Sequence, residues 1–194
     1  FFIYPNDIFL RVKDVNEFNS MTPVGPNHEW ITKQVDLVQK QRATFTYDVA
    51  TFDNIFSPAS AIRFMLDNNS PACNVTFADW IMENKEAVKH ALDVLATDIS
   101  TLATEIISKG GATGIYLSCQ QIQDPRITKE LYQEVVAPSE IKVLEAAKSL
   151  SNYNIIHICG YDSARNNLEW FVNYPVSGIS WATTVEGVSL KEGK

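Results

Sequence analysis

The sequence predicts an α/β fold of parallel βα units. Segments rich in β-branched and aromatic residues alternate with segments of helical apolar spacing, and four such strands can be counted. The chain has 194 residues, 45% of them hydrophobic, which suits a single domain over 1–194 with a real core. The apolar run Asn154-Ile-Ile-His-Ile-Cys-Gly160 places a His and a Cys two residues apart where a strand should stop. A closed (β/α)8 barrel of the TIM type needs eight units and roughly 250 residues. The four units here make about half of one, or a small open α/β sheet.

Residues 1–27 read as an irregular lead-in, with turn signals at Pro5-Asn-Asp7 and Thr22-Pro-Val-Gly-Pro26. Trp30, Ile31, Val35 and Val38 place a helix over 28–40. Thr44 to Phe52, β-branched and aromatic, reads as the first strand. Ser57-Pro58 starts a helix with Ala61, Ile62, Met65 and Leu66 on one face, Pro being suited to a first turn. Cys73 reads as a loop residue. From Asn84 to Lys109, Val88, Leu92, Leu95, Ile99, Leu102 and Ile106 form a helical stripe, which Asn84 can cap and Gly110 can end. Gly114–Cys119 is the second strand. A helix from Thr128 is interrupted at Pro138 and runs to about Leu150. Asn154–Cys159 is the third strand, Ser163 caps a short helix through Val172, and Ser177–Trp181 is the last strand.

The formal charge is −7, and no basic cluster exceeds Lys40-Gln-Arg42, which argues against nucleic acid and anionic membrane surfaces as partners. Three widely spaced cysteines fit a reducing, cytoplasmic setting better than a disulfide framework. No apolar run is long enough to span a membrane. The chain starts without Met inside Phe1-Phe-Ile-Tyr4 and ends at Ser189-Leu-Lys-Glu-Gly-Lys194, which looks like a helix beginning. Both ends read as cuts in a longer polypeptide.

Strand side chains alternate faces, so Ile155, His157 and Cys159 point the same way. Imidazole and thiolate are zinc ligands, and catalytic zinc takes about three protein ligands with one position open. Cys119, at the preceding strand's tip, is one candidate for the third, and a residue beyond Lys194 is another. The alternative is a buried His bonded to backbone beside an inert Cys. The other strand tips offer Tyr47, Asp48 and Asp53, then Ser118, Gln120 and Gln121, then Ser180 and Trp181. Asp48 and Gln120 are the candidates for catalysis, and Tyr47, Ser118 and Trp181 for substrate contact. Gln123 is a further donor, and Arg63, Arg126 and Arg165 could meet substrate carboxylates. His28 and His90 are expected at the surface.

Gly111-Ala-Thr-Gly-Ile-Tyr-Leu-Ser-Cys-Gln120, Tyr132 to Val143, Asn154–Gly160 and Val176–Trp181 resemble the uroporphyrinogen decarboxylase superfamily in order and spacing. So do Phe56-Ser-Pro-Ala-Ser60 and Val12-Lys-Asp-Val-Asn-Glu-Phe18. The resemblance covers nearly the whole chain. It implies a (β/α)8 barrel whose C-terminal mouth binds tetrapyrroles or methyl-transfer substrates. The superfamily's decarboxylases use no cofactor. They hold pyrroles on an aspartate and carboxylates on arginines, in a segment expected upstream of Phe1. Their tyrosine aligns with Phe64 and their serine with Cys119, and a late histidine is expected beyond Lys194. In the methyltransferase branch a His, a Cys two residues on and a later Cys bind zinc, which activates a thiol to take a methyl group from a corrinoid. His157 and Cys159 match the first two, and the later Cys is expected beyond Lys194. The resemblance therefore implies zinc, a corrinoid methyl donor, a corrinoid protein as partner and a homo-oligomer. Two rivals stand beside methyl transfer: uroporphyrinogen decarboxylation in tetrapyrrole (haem) biosynthesis, and an inactive part-barrel needing a partner chain to cover its sheet edges. The scarcity of basic residues at the strand tips counts against a polycarboxylate substrate.

Overall fold

The computed structural model describes residues 12–66, 71–120, 124–160 and 165–194. Pro5-Asn-Asp7, Gln121, Gln123 and Ser163 lie outside them. Four parallel strands pair in sequence order: β1 (Phe52–Phe56), β2 (Gly114–Cys119), β3 (Ile155–Ile158) and β4 (Gly178–Trp181). This is how consecutive units of a TIM barrel are arranged.

Partners across a parallel ladder project to the same side. The register aligns Ile55 with Leu117 and Ile156, and aligns Phe56 with Ser118, His157 and Ser180. One face therefore carries Ile55, Ile115, Leu117, Cys119, Ile156 and Ile158, all buried. Helices cover this face, and each fully buried aliphatic side chain contributes about 1.5–3 kcal/mol. The other face carries Asn54, Tyr116, Ser118, His157 and Ser180 among Phe52, Phe56 and Ile155, and is the more polar of the two.

The helices follow from local chemistry. The lead-in holds a 3-10 turn at Val15–Ser20, closed by reciprocal bonds between Asp14 and Glu17, and it buries Val15 and Phe18. The backbone N–H groups of Val24 and Gly25 donate to Asp98, pinning the lead-in down. Helix α1 is Glu29–Arg42, and His28 caps it by accepting from Trp30 N. Helix α2 is Pro58–Leu66. Helix α3, Pro71–Glu83, was not expected, and it puts Cys73 in the core rather than in a loop. Cys73, Phe77 and Ile81, four residues apart, line its buried face.

Helix α4, Lys85–Ser108, buries the expected stripe against α6, α1 and α2. Asn84 stands at its N-cap without a side-chain capping bond, so the expected cap is absent. Its end turns sharply: a Cβ at Gly110 would meet the Ile106 carbonyl, and Gly111 has φ of 78°. Thr128 caps α5 (Lys129–Val135) through Leu131 N. The expected interruption falls at Val136, and Pro138 sits in the first turn of α6 (Ala137–Lys148), where its missing N–H costs nothing.

Three expectations shift. The first strand is not Thr44–Phe52 but starts at Phe52. Thr44 and Phe45 instead close the end of α1, donating to the carbonyls of Gln41 and Arg42. The Arg42 guanidinium donates to the Val49 carbonyl and holds the following loop. β1 itself contains Asp53 and Asn54, poor strand formers, and pairing with β2 overrides that preference. The helix expected up to Val172 is only a 3-10 turn at Leu168–Trp170. At the end of the chain α7 is short, Thr183–Glu186, and residues 189–193 form a turn rather than a helix start. No helix among the described residues is long and apolar enough to cross a membrane.

Candidate functional site

The C-terminal ends of the strands bring together Ser118 and Gln120 from β2, His157 and Cys159 from β3, and Ser180 from β4. His157 projects from the polar face as expected. Its Nδ1 lies 3.2 Å from Ser180 Oγ, and the Tyr116 hydroxyl donates to the same oxygen at 3.0 Å. The imidazole stacks on the Tyr116 ring, with centroids 5.4 Å apart and planes 20° off parallel. Partial burial lowers its pKa below the ordinary 6.5, against a smaller opposing effect of the Ser180 contact. His157 is therefore neutral at pH 7. In the tautomer whose Nδ1–H donates to Ser180, the Nε2 lone pair is left for a ligand.

Cys159 stands exposed at the end of the strand. Partial burial pushes its thiol pKa up, the nearby Arg63 charge opposes this, and Glu186 adds to it. The strand tip is braced from below. Both Glu186 oxygens accept from Asn166, one from its backbone N–H and one from its side chain, each at 2.8 Å. Asn166 Nδ2 also donates to the Cys159 carbonyl at 3.1 Å. Gly160 lies directly against the Glu186 carboxylate, with no room for a Cβ. The Gly that follows Cys159 is thus required by close approach, not only by the end of the strand.

Ser118, buried on the polar face, donates to Asn54 Oδ1 at 2.8 Å. Gln120 is buried at the adjoining tip.

Cys119 cannot join His157 and Cys159. It lies one residue out of phase and points into the helix layer. There it shares a buried cluster with Ser57, Tyr132, Tyr174 and Glu140, and both burial and Glu140 push its thiol pKa well up. Glu140 accepts from the hydroxyls of Tyr132 at 2.9 Å and Tyr174 at 2.7 Å, and burial raises its pKa too. Trp181 is likewise on the helix side, its indole N–H donating to the Val188 carbonyl. Tyr47 and Asp48 precede β1, at the opposite end of the sheet, and Tyr47 is 68% exposed. Asp53, near the start of β1, lines a cleft of about 380 Å³ with Val38, Arg42, Phe45, Phe52 and Ala112 at that far end. These five displacements have two causes: the two-residue alternation of strands turns Cys119 and Trp181 away, and the start of β1 at Phe52 leaves Tyr47, Asp48 and Asp53 at the far end. Arg126 is paired with Asp79 and Asp124. His28 and His90 are exposed as expected.

Among the described residues no three of His, Cys, Asp and Glu converge as a metal site. His157 and Cys159 offer a nitrogen and a sulfur of the kind zinc prefers, two donors of the three needed. Sequence reasoning missed Glu186 and Asn166, which only the folded chain brings to the β3 tip.

Comparison with the curated proteins gave no match. The uroporphyrinogen decarboxylase (URO-D) family model, by contrast, matches residues 3–192, almost the entire chain. The sheet order, the polar mouth and this match agree, and the chain belongs to the uroporphyrinogen decarboxylase (URO-D) family.

Proposed function

We propose that this protein is a methyltransferase of the URO-D superfamily that passes a methyl group from a corrinoid to a thiol, with zinc held by His157 and Cys159. What supports this reading is His157 on the polar face of β3, its imidazole neutral and oriented by Ser180, with the exposed Cys159 two residues further along the chain. When bound, zinc keeps a thiol substrate deprotonated at neutral pH. The chain's own residues do the positioning. Ser180 and Tyr116 fix the imidazole, and Asn166 and Glu186 fix the backbone that carries Cys159. Ser118 and Gln120 line the adjoining tip, where they can meet the acceptor. The third ligand comes from outside the described residues, because Cys119 faces the other way. A corrinoid protein and a second copy of the chain are the partners this reading carries.

Cobalt(II) titration tests it. Strong thiolate-to-cobalt absorption is expected in the native protein and in Cys119→Ser, and is lost in Cys159→Ser and His157→Ala. A folded protein without that absorption would remove zinc and leave decarboxylation of uroporphyrinogen as the reading.

A further inference from the structure

The cleft at the far end of the sheet has no part in the chemistry just described. It lies between the end of α1 and the start of β1, and its volume of about 380 Å³ is that of a small-ligand pocket. Val38, Phe45 and Phe52 supply apolar walls, and Arg42, Thr51 and Asp53 bring polar groups to them. Phe45 and Phe52 are both exposed. Phe45 meets Tyr47 edge to face, with ring centroids 6.2 Å apart, which holds its ring at the rim.

The polar groups of the cleft are left wanting. Thr51 Oγ1 is shielded from water and has no hydrogen-bond partner among the described residues. The Asp53 carboxyl is partly buried, and burial alone pushes its pKa up to about 6, with no donor or cation among the described residues to oppose it. At pH 7 it is still mostly ionised, and a half-buried carboxylate without a partner is unfavourable. Arg42, the other charged side chain of the lining, does not relieve it. Its guanidinium donates to the Val49 carbonyl at 2.8 Å and enters no ion pair among the described residues. An unpaired carboxylate beside two aromatic rings is complementary to a cation with an apolar body, because carboxylate and ring quadrupoles both attract positive charge.

We propose that this cleft binds a small organic cation, a primary amine on an apolar body, with its ammonium on Asp53 and its body against Val38, Phe45 and Phe52. An ammonium carries three N–H donors, which suit the Asp53 carboxylate and the unused Thr51 Oγ1. The cleft stands at the opposite end of the sheet from His157 and Cys159, so it does not rest on the methyl-transfer reading.

Calorimetry on the intact protein at pH 7.5 tests it, with 2-phenylethylamine and its neutral counterpart 2-phenylethanol as probes. The amine is expected to bind at least about tenfold more tightly than the alcohol, a margin suited to a charge-assisted hydrogen bond. Asp53→Asn should close that gap, and Phe45→Ala should weaken both probes. Asp53→Asn removes an unpaired carboxylate and should melt no lower than the native protein, so its loss of preference is not a folding defect. At pH 5 about nine-tenths of Asp53 is protonated while the amine keeps its charge, and the amine should bind about tenfold more weakly. Backbone amide NMR shifts should move at Thr51 and Phe52 and stay still at His157 and Ser180. Equal affinities for amine and alcohol, or no binding of the amine at millimolar concentration, would overturn the cation site. So would a gap that survives in Asp53→Asn, or shifts centred on His157.

Discussion

A single methyl group at position 160 would occupy space the Glu186 carboxylate already fills. Gly160→Ala is expected to destabilise the protein by about 1–3 kcal/mol, the usual penalty of overpacking. A double-mutant cycle with Glu186→Ala checks the mechanism, because much of the Gly160→Ala cost should vanish once the carboxylate is gone. Glu140 makes a different point. Its carboxyl is buried and its pKa raised, so the native state prefers it protonated. The stability it gives is full below the ordinary carboxylate range and is lost as pH rises through the raised folded value. Glu140→Gln still accepts from Tyr132 and Tyr174, so it should gain on the native protein as pH rises. Glu140→Ala leaves two buried hydroxyls unpaired and should cost about 2–4 kcal/mol. Urea titrations across pH distinguish the two variants.

At the scale of elements, β1 is the instructive case. Its sequence, Phe-Asp-Asn-Ile-Phe, looks less like a strand than the Thr- and Phe-bearing segment before it. That segment closes a helix instead, and the ladder with β2 decides where the strand lies. The shift leaves a partly buried carboxyl at Asp53, whose pKa burial raises from 3.8 to about 6. Below about pH 4 its contribution to stability is full, and it is lost as pH climbs through about 6. Asp53→Asn should therefore match the native protein at pH 4 and exceed it by roughly 1–3 kcal/mol above pH 7. Equal melting curves at both pH values would refute this. Helix α3 escaped sequence reading for a related reason. Its spacing is helical, but its start at Pro71 looks like loop punctuation when the preceding turn is read alone.

For the whole molecule, long periodic elements were legible and handoffs between elements were not. The stripe of α4, the apolar runs of β2 and β3, and the face on which His157 stands all follow from spacing. The face of Cys119 and Trp181 was equally within reach, since each is one residue out of phase with its neighbours on the site. Proximity at a strand tip hid that phase difference. Asn166 and Glu186 meet the β3 tip only through the way the chain folds back after β3 and β4, and no local pattern marks them. The same alternation makes β3 intolerant of changes in length. A residue inserted between Ser151 and Asn154 that slipped its register by one would turn His157 and Cys159 into the aliphatic layer and bring Ile156 and Ile158 out to the mouth. Substitutions along β3 would alter the site by degrees, whereas a one-residue insertion or deletion would exchange its chemistry for its core in a single step.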